Sequence, residues 1–212
     1  MSTIFKSIIY TSFFIISHVI TLAQVNPLKK KPEKVPFPKD ENGKIIFYEV
    51  VSTDTVPRDT LWKNAKVWIY GILNDKADKI LLEDYLAGSL EAQTSFMVYT
   101  PSLISKMPHG VISYKVSIDI KDKKYRYTFT DFVFQYYKQD KNLKYVPVKG
   151  SIKPLEKEKY PGYQAAWDLH KQTVKKRIEG QIAYLKAEIV KQNKAPIPEN
   201  NTEKPVIKTK DW

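Results

Sequence analysis

The stretch Val111–Tyr136, which reads VISYKVSIDIKDKKYRYTFTDFVFQY, decides the fold of this chain. It is rich in β-branched and aromatic residues, and apolar and polar side chains alternate on either side of its centre. This pattern is typical of two strands that each bury one face. A turn at Asp122-Lys123 brings the two halves together as an antiparallel hairpin in which Lys121 lies opposite Lys124.

This register makes one face of the hairpin entirely apolar and the other polar. A slip of one residue would bury Asp119 and Arg126, so the hydrophobic pattern specifies the pairing. Beyond Thr130 the apolar positions change parity, which indicates either a β-bulge near Thr130-Asp131 or a strand end that is buried on both faces. The predicted pairs are Ile120 with Tyr125, Ile118 with Tyr127, Val116 with Phe129, Asp119 with Arg126, Ser117 with Thr128, and Lys115 with Thr130.

Three further strands are predicted before the hairpin. A turn at Asn42-Gly43 leads into Lys44–Val51, whose β-branched and aromatic content favours a strand. Lys79–Asp84 and Gln93–Thr100 follow as two more strands, joined by a turn near Gly88.

A helix of about 14 residues is predicted between the first and second of these strands, because apolar residues recur there at spacings of three and four. Pro57 suits its first turn. Gly71 marks its end. The apolar face of this helix consists of Leu61, Ala65, Trp68 and Ile72.

A longer amphipathic helix is predicted over residues 163–192. Gly180 interrupts it, at a cost of about 1 kcal/mol relative to alanine. We expect its apolar stripe to cover one face of the sheet. The alternative is that the stripe lies on a membrane surface, with the basic face in solvent. The stripe consists of Trp167, Val174, Ile178, Ile182, Leu185 and Ile189.

The two ends of the chain differ in composition from the part between them. Residues 1–23 have a basic start at Lys6, a short apolar run and small residues before Gln24, which predicts a signal peptide and therefore export to the periplasm or beyond. Residues 24–39 are rich in proline and lysine and are interpreted as a linker. Residues 40–192 form the predicted domain, and residues 193–212 are interpreted as a disordered tail.

Charge and cysteine content narrow the function classes. The chain has 35 basic and 23 acidic residues and a net charge of +12. One of these positive charges, Lys6, lies in the predicted signal peptide and would be removed with it. In an exported protein, such an excess either keeps the protein soluble or attracts an anionic envelope component. Cysteine is absent. This excludes disulfides, thiol catalysis, cysteine-bound metals and a lipoprotein anchor.

Three stretches resemble a known family. They are the lead-in Asp40–Ile45 with its strand Tyr48–Val51, the helix Asp59–Ile69, and Lys124–Phe132, which reads KYRYTFTDF. They are similar to a family of exported Bacteroidetes proteins described as a domain of unknown function with a TATA-binding-protein-like (TBP-like) fold. The resemblance implies an α+β fold, a β-α-β-β-β-β-α half-unit whose curved antiparallel sheet is covered by a long C-terminal helix. It implies no activity, and a fold name does not imply DNA binding.

The motifs that mark common catalytic and metal sites are missing. His109, interpreted as part of a loop, and His170, on the long helix, are far apart in sequence, and neither belongs to a metal-ligand spacing such as H-x-x-H. The chain has no G-x-S-x-G motif and no glycine-rich phosphate loop. We therefore expect no metal, no cofactor and no identifiable catalytic residue.

Carboxylates and aromatic rings leave two alternatives open. Glu83, Asp84 and Asp131 are the candidates for a paired-carboxylate hydrolase, which needs two carboxyl groups about 5–9 Å apart. The rings of Tyr125, Tyr127 and Phe129 alternate with polar residues, as in strands that stack on single-stranded nucleic acid or sugars. We expect instead that these three rings belong to the core under the long helix.

The function predicted from these features is a non-enzymatic binding or adaptor module of the cell envelope. Its partner would be an envelope protein or an anionic envelope component, whereas nucleic acid is not expected. The alternatives are a carboxylate-dependent hydrolase acting on envelope material and a module that binds polyanions. The oligomeric state stays open. The predicted binding surface is the polar hairpin face with Lys115, Asp119, Arg126 and Thr128.

Overall fold

The described part of the chain folds into one antiparallel sheet and two helices. The computed structural model describes residues 36–73, 75–100, 106–160 and 163–191. The predicted signal peptide, residues 24–35 of the predicted linker and the predicted tail lie outside the described residues. The elements in chain order are β1 (Phe47–Ser52), α1 (Arg58–Gly71), β2 (Lys79–Asp84), β3 (Ser89–Thr100), β4 (Met107–Lys121), β5 (Lys124–Gln139), β6 (Tyr145–Pro154) and α2 (Gln164–Ile189).

The sheet has six strands in the described part of the chain, in the order β1-β5-β4-β3-β2, and β6 pairs with β5. β1 pairs with the first half of β5, and β6 pairs with the second half. The strand β6 is not among the predicted elements. Its Pro147 and Gly150 are residues that normally argue against a strand, and they are tolerated here because β6 lies at an edge.

The central hairpin has the predicted register. Every predicted pair is present, from Lys121 opposite Lys124 to Lys115 opposite Thr130. The register shifts by one residue between Ser113 and Lys115, where β5 carries an extra residue. Asp131 lies at this shift and has a φ of 55°. The parity change therefore comes from a β-bulge, and not from burial of both strand faces.

Both helices form as their patterns predict. Pro57 precedes α1, which ends at Gly71. The predicted apolar face of α1 is buried, and so is most of the stripe of α2, with Ile182 partly buried. The end of α2 is held by a side chain of α1. The Nδ2 atom of Asn64 donates hydrogen bonds to the carbonyl oxygens of Ile189, at 3.0 Å, and Lys191, at 2.7 Å.

The two helices pack against each other and against one face of the sheet. The prediction that α2 covers the sheet is confirmed, because its stripe is part of the core and not a membrane-facing surface. The rings of Tyr125, Tyr127 and Phe129 are buried in that core, so the interpretation as a stacking platform is wrong. Phe37 also packs edge-on against Phe47 of β1. The predicted α+β fold class, with an antiparallel sheet covered by a long C-terminal helix, is thereby confirmed.

Neither α1 nor α2, the two helices of the described chain, meets the length and hydropathy that a membrane span requires.

Candidate binding surface

The sheet has a second face, which carries none of the described helices and is called the open face below. Side chains alternate between the two faces of a strand, so each buried residue of β3, β4 and β5 has open-face neighbours in sequence. The open face is predominantly polar. Its residues include Tyr48, Val50, Lys79, Leu82, Asp84, Ser89, Glu91, Gln93, Ser95, Met97, Val111, Ser113, Lys115, Ser117, Asp119, Lys121, Lys124, Arg126, Thr128 and Thr130.

Asp119 is the most constrained acidic group on this face. The antiparallel registers place it between Ser89 of β3 and Arg126 of β5. Ser89 Oγ donates a hydrogen bond to Asp119 Oδ1 at 2.9 Å. Arg126 donates to Asp119 Oδ2 from Nε, at 2.9 Å, and from Nη2, at 2.6 Å. The predicted Asp119–Arg126 pair is therefore present, with Asp119 bonded from both neighbouring strands.

A second charged group surrounds the bulge. Asp131 lies between two lysines, with its Oδ1 atom 3.0 Å from Lys44 Nζ and its Oδ2 atom 3.3 Å from Lys115 Nζ. The hydrogen bond from Lys44, followed by that from Lys115, holds the pKa of the Asp131 carboxyl below its usual value. Lys115 of the predicted binding surface therefore forms an ion pair with Asp131 at the bulge.

All four residues of the predicted binding surface lie on the open face. Thr128 is paired with Ser117 on one side and with Tyr48 on the other. Tyr48 and Val50, which the prediction did not include, add apolar area, and their exposed fractions are 54% and 50%. No local signal could have placed them there, because their position depends on the pairing of β1 with β5, about 80 residues later in the chain. That this surface binds a partner stays a prediction.

The three candidate carboxylates do not come together. Glu83 accepts hydrogen bonds from Lys66 and Tyr70 of α1, and these lower the pKa of its carboxyl. Asp84 accepts a hydrogen bond from the backbone N–H of Ala87 in the following turn. β2 and β5 are separated by β3 and β4, which places Asp131 about 14 Å from that strand at ordinary strand spacing.

His109 and His170 meet inside the protein, a contact that the sequence does not predict. His109 belongs to β4 and not to a loop, which corrects the expectation. Its Nδ1 atom lies 2.7 Å from His170 Nε2. Phe134 contacts both rings. The described residues contain no group of three or more histidine, aspartate or glutamate side chains arranged to hold a metal ion.

The comparisons with known proteins agree with this geometry. Residues 47–135, from the start of β1 into β5, match the family model described as a domain of unknown function (DUF4468) with TBP-like fold. This part of the chain is similar to that family. The DUF4468 match thus includes the central hairpin and α1, whereas β6 and α2 lie beyond it.

Two crystal structures share the fold of this protein. One is a TBP-like protein from Parabacteroides distasonis ATCC 8503, with a TM-score of 0.56 and 15% identity over 74% of this chain and 97% of that chain. The other is a DUF4468 family protein from Bacteroides ovatus ATCC 8483, with a TM-score of 0.50 and 12% identity over 76% of this chain and 94% of that chain. No curated protein matches the sequence. The comparisons therefore confirm the predicted TBP-like fold and show a family match over residues 47–135.

Proposed function

We propose that this protein is an exported, non-enzymatic binding or adaptor module of the cell envelope, and that its open face binds another protein. The observation that carries the proposal is the division of the sheet into two faces. One face packs against α1 and α2, whereas the described helices leave the other face uncovered. The open face joins β1, β3, β4 and β5 into one continuous surface.

The composition of the open face supports a protein partner. Tyrosine and arginine are the residues that most often carry the binding energy of protein interfaces. Here Tyr48 and Arg126 are neighbours, and Arg126 is held in place by its two hydrogen bonds to Asp119. A side chain that is ordered before binding loses less conformational entropy when the complex forms. Val50, paired with Arg126, adds apolar contact beside these groups.

Export is supported by the leader pattern of residues 1–23, with its basic start, short apolar run and Thr21-Leu22-Ala23 before Gln24. The proposed location is the periplasm or the exterior. N-terminal sequencing of the protein recovered from a cell fraction tests this directly. A mature protein that begins at Gln24 in the periplasm or the medium is expected, and an uncleaved protein in the cytoplasm would contradict it.

The binding proposal is tested by in-cell crosslinking and pull-down of the tagged protein, followed by mass spectrometry. The informative variant is Tyr48→Ala, and Tyr184→Ala on the outer side of α2 is a matched control, since the two tyrosines are 54% and 56% exposed. We expect one dominant envelope protein that Tyr48→Ala loses and Tyr184→Ala retains. Equal capture by both variants would exclude the open face as the binding surface.

The other functions predict different results in assays of substrate turnover and of binding at varied salt concentration. A carboxylate-dependent hydrolase would show steady turnover of envelope material that Glu83→Gln, Asp84→Asn or Asp131→Asn abolishes. A polyanion-binding module would show a steep loss of affinity with salt and no preference for one protein. Either result would replace the adaptor proposal.

A further inference from the structure

A small depression lies on the open face at the turn end of the β4–β5 hairpin. It encloses about 200 Å³ and is lined by Val50, Asp119, Lys121, Lys124, Tyr125 and Arg126. This is smaller than the roughly 300–1,000 Å³ of pockets that hold drug-sized ligands. The space therefore suits a single side chain or a group of similar size.

The charge of the depression is positive. Three cations line it, and its one carboxylate, Asp119, is already bonded to Arg126 and Ser89. Lys121 and Lys124 are paired directly across the hairpin. Neither forms an ion pair with any described residue.

Like charges directly opposite each other destabilise a strand pair. The neighbouring turn residues Asp122 and Lys123 cancel each other in charge, so the two positive charges of Lys121 and Lys124 remain at this end of the hairpin. An anionic group that enters the depression would relieve their repulsion. This charge pattern favours a carboxylate as the ligand.

The strand next to the depression indicates where the carboxylate comes from. β1 contributes Val50 to the lining and is the last strand on its side of the sheet order. In the described part of the chain, β5 is its one strand partner, so the other edge of β1 presents unpaired backbone groups. Such an edge recognises the backbone of an extended peptide, which a polysaccharide lacks.

We infer that the depression binds the carboxylate side chain of an extended acidic segment of a partner protein, with Lys121 and Lys124 as its specificity-determining residues and the free edge of β1 as the neighbouring backbone contact. This assignment rests on the proposed function, because it names the chemistry of the partner that the open face binds.

The test uses the full chain and a fluorescent peptide of alternating glutamate and valine, with binding followed by fluorescence anisotropy at low and physiological ionic strength. We expect K121Q/K124Q to weaken binding about tenfold, the loss of two favourable charge contacts. K138Q/K141Q, which removes two exposed lysines near the β5–β6 turn, is the matched control and should bind as the unchanged protein does. A peptide with glutamine in place of glutamate should bind as weakly as K121Q/K124Q binds the acidic one.

Three outcomes would overturn the assignment. Absence of measurable peptide binding would do so, and equal weakening by both double variants would show that only the overall positive charge matters. Equally tight binding of polygalacturonate, which carries carboxylates without a peptide backbone, would exclude a peptide-specific site.

The two proposals can fail separately. If the Tyr48 variant loses the captured protein but peptide binding does not depend on Lys121 and Lys124, this inference fails and the proposed function stands. If the peptide binds as described and no protein is captured, the proposed function fails alone.

Discussion

The Nδ1 atom of His109 on β4 lies 2.7 Å from the Nε2 atom of His170 on α2, and the two side chains are only 3% and 0% exposed. One nitrogen must donate the proton and the other must accept it. Burial lowers the pKa of both rings, that of His170 to about 3 with the charge of His109 as a further cause. The pair therefore joins helix to sheet as two neutral rings.

This pair predicts that the protein loses stability in mild acid. Below the ordinary histidine pKa of about 6.5 the unfolded chain binds protons that the folded chain does not, so the stability present above that pH declines as the pH falls towards 3. For one histidine with such a shift, the free energy of unfolding should fall by about 2 kcal/mol between pH 7 and pH 5. Urea unfolding at the two pH values measures it.

The same experiment on His170→Gln separates this pair from the acidic groups. That variant keeps only the His109 ring, so the part of the decrease that comes from His170 should disappear. Nitrogen NMR of the imidazoles gives an independent reading, since the His170 ring should remain neutral at pH 5. A protonated His170 ring at pH 5, or a free energy of unfolding that does not change, would contradict the prediction.

Two glycines should respond in opposite directions to alanine. Gly180 lies exposed in α2 with open space around it, so Gly180→Ala should stabilise the protein by about 1 kcal/mol through helix propensity. At Gly110 a methyl group would lie 2.3 Å from the carbonyl oxygen of Gln135 and 2.5 Å from the Phe134 ring. Gly110→Ala should cost about 1–3 kcal/mol or more. Thermal unfolding of both variants compares them, and destabilisation by Gly180→Ala would refute the assignment of open space.

The bulge residue Asp131 has both a left-handed backbone and two lysine partners. Asp131→Asn removes the charge but keeps a residue type that tolerates positive φ, whereas Asp131→Ala removes both properties. We expect the alanine variant to be less stable than the asparagine variant by about 1 kcal/mol. Chemical denaturation ranks the two, and equal stabilities would mean that the backbone conformation at this position relaxes.

Asn64 should act as a remote cap of α2. Its side chain is buried and donates to the carbonyl oxygens of Ile189 and Lys191, which lie beyond the hydrogen bonds of the helix interior. Asn64→Ala leaves these carbonyls without their donor and should cost about 1–3 kcal/mol. Hydrogen exchange should also accelerate in the last turn of α2 before the rest of that helix. Uniform acceleration throughout α2 would argue against a capping role.

The paired lysines of the hairpin predict a gain in stability on charge reversal. Lys124→Glu replaces repulsion with attraction opposite Lys121 and should raise the free energy of unfolding by about 0.5 kcal/mol. The same variant should bind the acidic peptide less well than the unchanged protein. Differential scanning calorimetry measures the first effect. A lower melting temperature would show that Lys124 has a stabilising contact of its own.

The sequence predicts the elements whose pattern is local. The alternation along Val111–Tyr136 indicates the hairpin register, because a slip of one residue would bury Asp119 and Arg126. The spacing of apolar residues determines α1 and α2 in the same way, since only one face of each helix can be buried. The strand β6 is not predicted because Pro147 and Gly150 weaken its local strand pattern. It forms nonetheless, because pairing with β5 outweighs the low strand propensity of these two residues.

The sequence likewise predicts only the part of the candidate surface that lies within the hairpin. Asp119, Arg126, Lys115 and Thr128 follow from the hairpin itself, so the sequence alone determines that they share a face. The contacts of Tyr48, of Asn64 and of the His109–His170 pair join residues on elements that are far apart in the chain. Local patterns carry no information about such contacts, because they depend on how the strands are ordered and where α2 crosses the sheet. Only the tertiary structure decides them.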